Sequence, residues 1–291
     1  MQITANDIQI ECEVHGPGDG VPLLLIRGLG SQLIHWPKQF VQGFAELGYK
    51  TVIFDNRDVG QSQRCPAEGV TGIAEDILAD LEEGRVPKPA YSLDDMAQDA
   101  IGVMDSLGID KAHVFGISMG GAITQILVTC YQERLLSACI VMTAARLKSP
   151  DLIQQVLVYP ETREEAQDSW VAGHQFWGSH GYSMSEEEIR AEATLAWDRG
   201  IDAAGTNRQA LATVSAGDRR EALKKVDHPC FVIHGAIDTL IPPEMGEEIA
   251  QLIPNAELKI IEGMGHVITP KLSPMLVEMV DDFIRRRGLK A

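Results

Sequence analysis

FGISMGGAITQ, residues 115–125, places a serine between glycines where two hydrophobic patterns meet. The residues before it, 112–117 (AHVFGI), form a short apolar run with the character of a buried strand. Residues 122–135 (AITQILVTCYQERL) carry the apolar recurrence of a helix. Ser118 therefore sits at the joint. Gly116, Gly120 and Gly121 have no Cβ, so the chain can turn sharply there while strand and helix backbones approach closely. Such a turn holds the serine side chain outward.

Working outward, the same alternation recurs along the chain. After an N-terminal hairpin come VPLLLIRGL (21–29), KTVIFDNR (50–57), AHVFGIS (112–118), ACIVMTA (138–144), CFVIHGAID (230–238) and ELKIIEGMGH (257–266). Each is a short apolar run, and most end in a turn signal with a helix-length segment between them. This order predicts an α/β protein with a mostly parallel eight-stranded sheet flanked by helices. Two intervals are longer. Residues 64–92 contain Pro and Gly, and residues 146–220 hold amphipathic stretches with three of the four tryptophans. The expected organisation is a core of 1–145 and 221–291 with an inserted helical cap at 146–220.

In open α/β sheets chemistry gathers at the carboxyl ends of the strands. The third strand ends at Arg27-Gly28-Leu29-Gly30, the fifth at Ser118, the seventh at Asp238 and the eighth at His266. A serine needs a base within hydrogen-bond reach, and the base needs a carboxylate to fix its tautomer. Ser118, His266 and Asp238 supply those three types on one edge. Asp227 precedes its strand and the sixth strand ends in MTAAR without a carboxylate, which leaves Asp238 as the better acid.

Gly116-Ile117-Ser118-Met119-Gly120 matches G-x-S-x-G, and with the chain order Ser, Asp, His it resembles the α/β-hydrolase superfamily. LLLIRGLGSQLIHWP (23–37) is similar to the family's oxyanion loop, HGAIDTLIPP (234–243) to its acid loop and GMGHVI (263–268) to its histidine loop. FDNRDVGQS (54–62) is similar to the turn after the fourth strand. Together with the Trp36-Pro37 pair it most resembles the branch holding small carboxylesterases and aclacinomycin methylesterase.

The resemblance implies a catalytic Ser118, Asp238 and His266, with the amides of Leu29 and Met119 as oxyanion donors. Asp55, Asn56, Arg57 and Asp58 would then be a structural turn. Where many relatives have His-Gly, this chain has Arg27-Gly28; backbone donors work with either, and the difference bears on how the loop is pinned. The implied reaction is hydrolysis of a small or medium, largely apolar carboxylic ester through an acyl-enzyme, without a cofactor. The cap and the 64–92 interval would exclude water and select the substrate. Trp170, Phe176, Trp177 and Trp197 have two roles open to them, lining that pocket or packing the cap. A carbon-carbon or lactone hydrolase would need polar cap groups such as His174, His180, Arg190 or Arg208 to meet a substrate carboxylate. A slow-turnover ligand sensor is the reading from another class.

Composition narrows the partners. Acidic residues outnumber basic ones by 42 to 25, a formal net charge of -17, which repels nucleic acid and anionic membrane surfaces. No histidine pair has zinc-like spacing with a third ligand, and RGLGSQ (27–32) lacks the nucleotide-loop patterns, so neither metal nor nucleotide is expected. Five cysteines without C-x-x-C spacing, and a start without an apolar leader, read as a reduced, cytoplasmic protein. A monomer and a homo-oligomer fit the sequence equally.

Overall fold

The computed structural model describes residues 1–85, 87–146 and 160–289. Its strands are β1 (Gln2–Ala5), β2 (Ile8–His15), β3 (Val21–Ile26), β4 (Tyr49–Phe54), β5 (Ala112–Ile117), β6 (Leu135–Val141), β7 (Cys230–Gly235) and β8 (Glu257–Ile261). They form one sheet in the order β1-β2-β4-β3-β5-β6-β7-β8. β1 and β2 are the expected hairpin, β2 runs antiparallel to β4, and the remaining pairings are parallel.

β5 and β7 are buried along their whole length. Helices cover both faces of the sheet, and strands so enclosed read as continuous apolar runs. On one face α1 (Lys38–Glu46) and α10 (Ser273–Arg286) bring Phe40, Phe44, Val277 and Phe283 against Leu25, Phe115 and Ile233. On the other face lie α3 (Leu93–Ser106), α4 (Met119–Cys130) and α9 (Pro243–Leu252), contributing Met96, Val103, Ile123, Leu127 and Ile249. No helix among the described residues is long and apolar enough to cross a membrane.

Residues 147–159 of the expected cap lie outside the described residues. From Arg163 onward the interval is helical: α5 (Arg163–Trp177), α6 (Glu186–Gly200) and α7 (Ala203–Val214), followed by the single turn α8 (Arg220–Leu223). α5 and α6 each open with a capping box, Thr162 with Glu165 and Ser185 with Glu188, which satisfies orphan amides at both starts. α2 (Ala74–Glu82), from the 64–92 interval, packs Ala74 and Ile77 on Leu211 of α7.

The turn after β4 holds these helices down. Asp55 is fully buried; it accepts from Leu33 N at 2.6 Å, Gln61 N at 2.9 Å and Arg199 Nη2 at 3.0 Å. Asp58 accepts from Arg208 Nη2 at 2.6 Å and Nε at 3.0 Å, from Cys65 N at 2.7 Å and from Tyr91 OH at 2.7 Å. Between them Arg57 pairs with Asp99 of α3 at 2.6 Å, and Asn56 Nδ2 donates to Arg27 O at 3.1 Å. The segment thus spends its side chains on structure, clamping α6 through Arg199 and α7 through Arg208.

Removing one partner of a buried ion pair leaves the other charge without compensation, at about 3–5 kcal/mol. Arg208→Met is therefore expected to lower the urea-unfolding free energy by about that amount, and Asp58→Asn added to it to recover part of the loss. Equal stability of wild type and Arg208→Met would show that the clamp contributes nothing.

Candidate active site

Ser118 occupies the turn between β5 and α4 with φ 55° and ψ -120°, a left-handed backbone that a non-glycine residue adopts at a cost of about 1–3 kcal/mol. Its neighbours explain how the turn survives. A Cβ at Gly116 would fall 2.2 Å from Gly120 O, and one at Gly120 would fall 2.2 Å from Ile26 O, so only glycine lets the elbow close against β3. Ser118 N donates to Val141 O at 2.9 Å, anchoring the turn to β6.

The loop after β3 faces this elbow, and a Cβ on Gly28 would come 3.0 Å from Ser118 Cβ. Gly30 N donates to Gln209 Oε1 of α7 at 2.8 Å and Ser31 N to Gly28 O at 3.3 Å. Leu29 N has no acceptor among the described residues, and Met119 N is the first amide of α4, which intrahelical bonding leaves open. Two amides on either side of Ser118 are thereby available to an oxygen atom, the second at the positive end of a helix dipole.

Asp238 and His266 meet beyond the ends of β7 and β8. Asp238 Oδ2 lies 2.6 Å from His266 Nδ1, while Oδ1 accepts from Leu240 N at 3.0 Å and Ile241 N at 2.9 Å. His234, fully buried under α9, donates from Nε2 to Ile241 O at 2.9 Å and stands 3.5 Å from Asp238 Oδ2. Burial alone would raise the Asp238 carboxyl. His266, His234 and the Ile241 amide overcome it and hold Asp238 well below the usual carboxylate range. With Nδ1 engaged by the carboxylate, His266 Nε2 is left buried without a partner among the described residues. Ser118 Oγ is likewise unengaged, and both residues line one cavity of about 890 Å³.

α5 and the residues just after it are joined directly to this histidine. His266 N donates to Trp177 O at 2.6 Å, Gly265 N to Ser179 Oγ at 3.0 Å, and Ser179 Oγ to Val267 O at 2.5 Å. Thr239, beside the acid, donates to Phe176 O at 2.9 Å. Trp170, His174 and Trp177 recur at i, i+4 and i+7 and so share one face of α5. Their rings run in series from His35, 4.8 Å from Trp170, to His266, 6.5 Å from Trp177.

Three of the four aromatic residues expected here, Trp170, Phe176 and Trp177, line the cavity, with Phe176 largely exposed at the rim. Trp197 does not. On α6 the wall is formed by Glu192, Ala193, Ala196 and Gly200, and Trp197 falls about a quarter turn to the side of that stripe. The 64–92 interval also contributes nothing to the wall among the described residues, because α2 packs on α7 instead. Of the polar cap residues considered, His174 faces the cavity, Arg190 pairs with Asp168 and Glu186, Arg208 is held by Asp58, and His180 is exposed. Gln209, Ser179, His35 and Glu192 were not visible as site residues in the sequence. The spacing on α5 was the one available signal, since it aligns His174 with two tryptophans.

Electrostatics in the deep part of the cavity centre on Arg27. Burial lowers its guanidinium to about 10, with Glu192 opposing. Burial, reinforced by Arg27 and Arg199, pushes His35 down to about 3, and burial with Arg27 pushes His174 down to about 4. Both rings are neutral near pH 7. Burial pushes Glu192 up to about 7, against the pull of Arg27 and the Trp170 side chain.

The sequence pattern of the alpha/beta hydrolase fold family matches residues 21–269. Rhodomycin D methylesterase DnrP of Streptomyces peucetius is 26% identical, over 91% of this chain and 91% of its own. Among solved structures, the enol-lactonase of Burkholderia xenovorans superposes with a TM-score of 0.79 at 23% identity, covering 98% of this chain and 100% of that one. An esterase of Thermogutta terrifontis gives a TM-score of 0.76 at 22% identity, covering 100% and 99%.

Ser179 carries two of the bonds that join the end of α5 to the loop bearing His266. Ser179→Ala leaves Gly265 N and Val267 O unsatisfied, which should cost about 1–3 kcal/mol in chemical denaturation. A change below about 0.5 kcal/mol would mean that the stitch is not used.

Proposed function

The chain belongs to the α/β hydrolase fold family, and we propose that it is a serine hydrolase of small to medium carboxylic esters working through an acyl-enzyme. One observation carries this reading: His266 has Nδ1 fixed by Asp238 at 2.6 Å and Nε2 left unpartnered, on the wall that also bears Ser118. In that tautomer Nε2 is an acceptor, as general-base chemistry on a serine requires.

His266 takes the Ser118 proton as Oγ adds to the ester carbonyl carbon. The carbonyl oxygen becomes an oxyanion between the Leu29 and Met119 amides, whose dipoles are in place before charge develops. Collapse expels the alkoxide, which takes the proton from His266 Nε2. Water then enters, gives its proton to His266 and attacks the acyl carbon, and collapse of the second intermediate returns the proton to Ser118 and releases the acid. Asp238 stays ionised throughout and stabilises the imidazolium, in keeping with its depressed pKa. The aromatic face of α5 and the volume of about 890 Å³ suit a substrate larger than an acetate ester.

Fluorophosphonate labelling read by intact mass should modify the wild type and not Ser118→Ala. Hydrolysis of a p-nitrophenyl ester series should disappear in the same variant. Asp238→Asn should lower kcat by about 10⁴ through loss of the productive tautomer. Labelling that persists in Ser118→Ala would assign the nucleophile elsewhere, and undiminished turnover in Asp238→Asn would remove that residue from the mechanism.

A further inference from the structure

We propose that Arg27 is a docking point for a carboxylate, so that the preferred substrate is an ester that also bears an acidic group. This rests on the ester-hydrolase reading and deepens it.

The contrast among buried and half-buried arginines is the starting observation. Arg57 is matched by Asp99, Arg208 by Asp58, Arg199 by Asp55, and Arg219 by Gln125 Oε1 and Ala144 O. Arg27 is 8% exposed, yet its Nε and Nη1 have no acceptor among the described residues. Its guanidinium lies over the Trp36 ring, 4.8 Å from the centroid, and Arg27 is among the residues that line the cavity. A buried cation without a counter-ion is costly unless something supplies one. Its position sets what that something touches: Arg27 immediately precedes Gly28, the residue that abuts Ser118. Arg27 and Ser118 also line the same cavity, so a carboxylate on the one and an ester carbonyl at the other can belong to one molecule.

The surroundings fit an anionic guest. His35 and His174 are neutral near pH 7 and add no competing charge, and Trp36 under the guanidinium and Trp170 on the cavity wall give apolar surroundings that strengthen a charge-assisted bond. Glu192, from α6, feels Arg27 without forming an ion pair with it. Glu188 from the same helix acts on Glu192 in the opposite sense, and Arg199 is the further cation that acts on His35. With its carboxyl raised to about 7, Glu192 is protonated on the acid side, where Arg27 is least compensated. Its ionisation competes with the guest, so carboxylate binding weakens as pH rises through that value.

Monomethyl glutarate and dimethyl glutarate test this with the same scissile bond. Wild type is expected to favour the monoester in kcat/KM by about 10- to 100-fold. The ratio should collapse toward unity in Arg27→Met and be partly restored in Arg27→Lys, which keeps the charge. Arg27→Met removes an uncompensated buried charge, so its Tm should not fall. A wild-type ratio at or below one, or a ratio unchanged in Arg27→Met, overturns the proposal. Should neither ester be hydrolysed, with Ser118 also unlabelled by fluorophosphonate, the ester-hydrolase reading fails separately. Calorimetric binding of glutarate then decides the acid site on its own. Binding to wild type that weakens from about pH 6 to about pH 8 and is lost in Arg27→Met supports the site; absent or equal binding overturns it. If Arg27→Met does not fold, Arg27→Lys and the wild-type pH dependence decide between the same two outcomes.

Discussion

Asp55 and Asp58 are carboxylates with no solvent exposure of their side chains, held by Arg199 of α6 and Arg208 of α7. The placement of the candidate active site follows from that arrangement. The carboxylates leave β4 in the middle of the sheet, so the charges that must be neutralised lie beside the carboxyl ends of β3 and β5, where Arg27 and Ser118 emerge. Arg199 and Arg208 can satisfy them only if α6 and α7 lie over that edge. Gln209 completes the bond by bridging Gly30 N and Arg57 O. Burying ions gains little net stability, but a wrongly seated cap would leave two carboxylates bare, and that cost selects one position for the cap.

A second, independent connection runs through α5. Its last carbonyl, that of Trp177, accepts from the His266 amide, and Ser179 just beyond it joins Gly265 to Val267. Helix ends leave carbonyls unsatisfied, and here the histidine loop takes one of them. The residue whose imidazole faces the cavity is thus held by its side chain through Asp238 and by its backbone through the cap. The cavity wall and the seat of the His266 imidazole share the same atoms.

Much of this was legible in the sequence because it follows from local rules. G-x-S-x-G at a strand-to-helix joint requires an elbow, and strands ending in Asp238 and His266 deliver those residues to the same edge. The interval holding α5, α6 and α7 was legible as helical but not as placed, because placement depends on pairs separated by 144 and 150 positions, Asp55 with Arg199 and Asp58 with Arg208. Trp197 shows the same limit. Its composition suggested a pocket residue, while the rotation of α6 about its axis, fixed by Arg199 and by Gln32 donating to Ala196 O, turns it aside. Arg27 was visible as a departure at the oxyanion loop. Its lack of an acceptor was not, since that is a property of every neighbour at once.

The bond between Trp177 O and His266 N also determines how the enzyme would sense an oversized guest. In a pocket walled by a free-standing lid, excess bulk displaces the lid and weakens binding. Here a molecule that presses on the inner face of α5 displaces the backbone carrying His266. Bulk is then registered as slower turnover of a complex that still forms, and discrimination between homologous esters falls on kcat while KM stays nearly level.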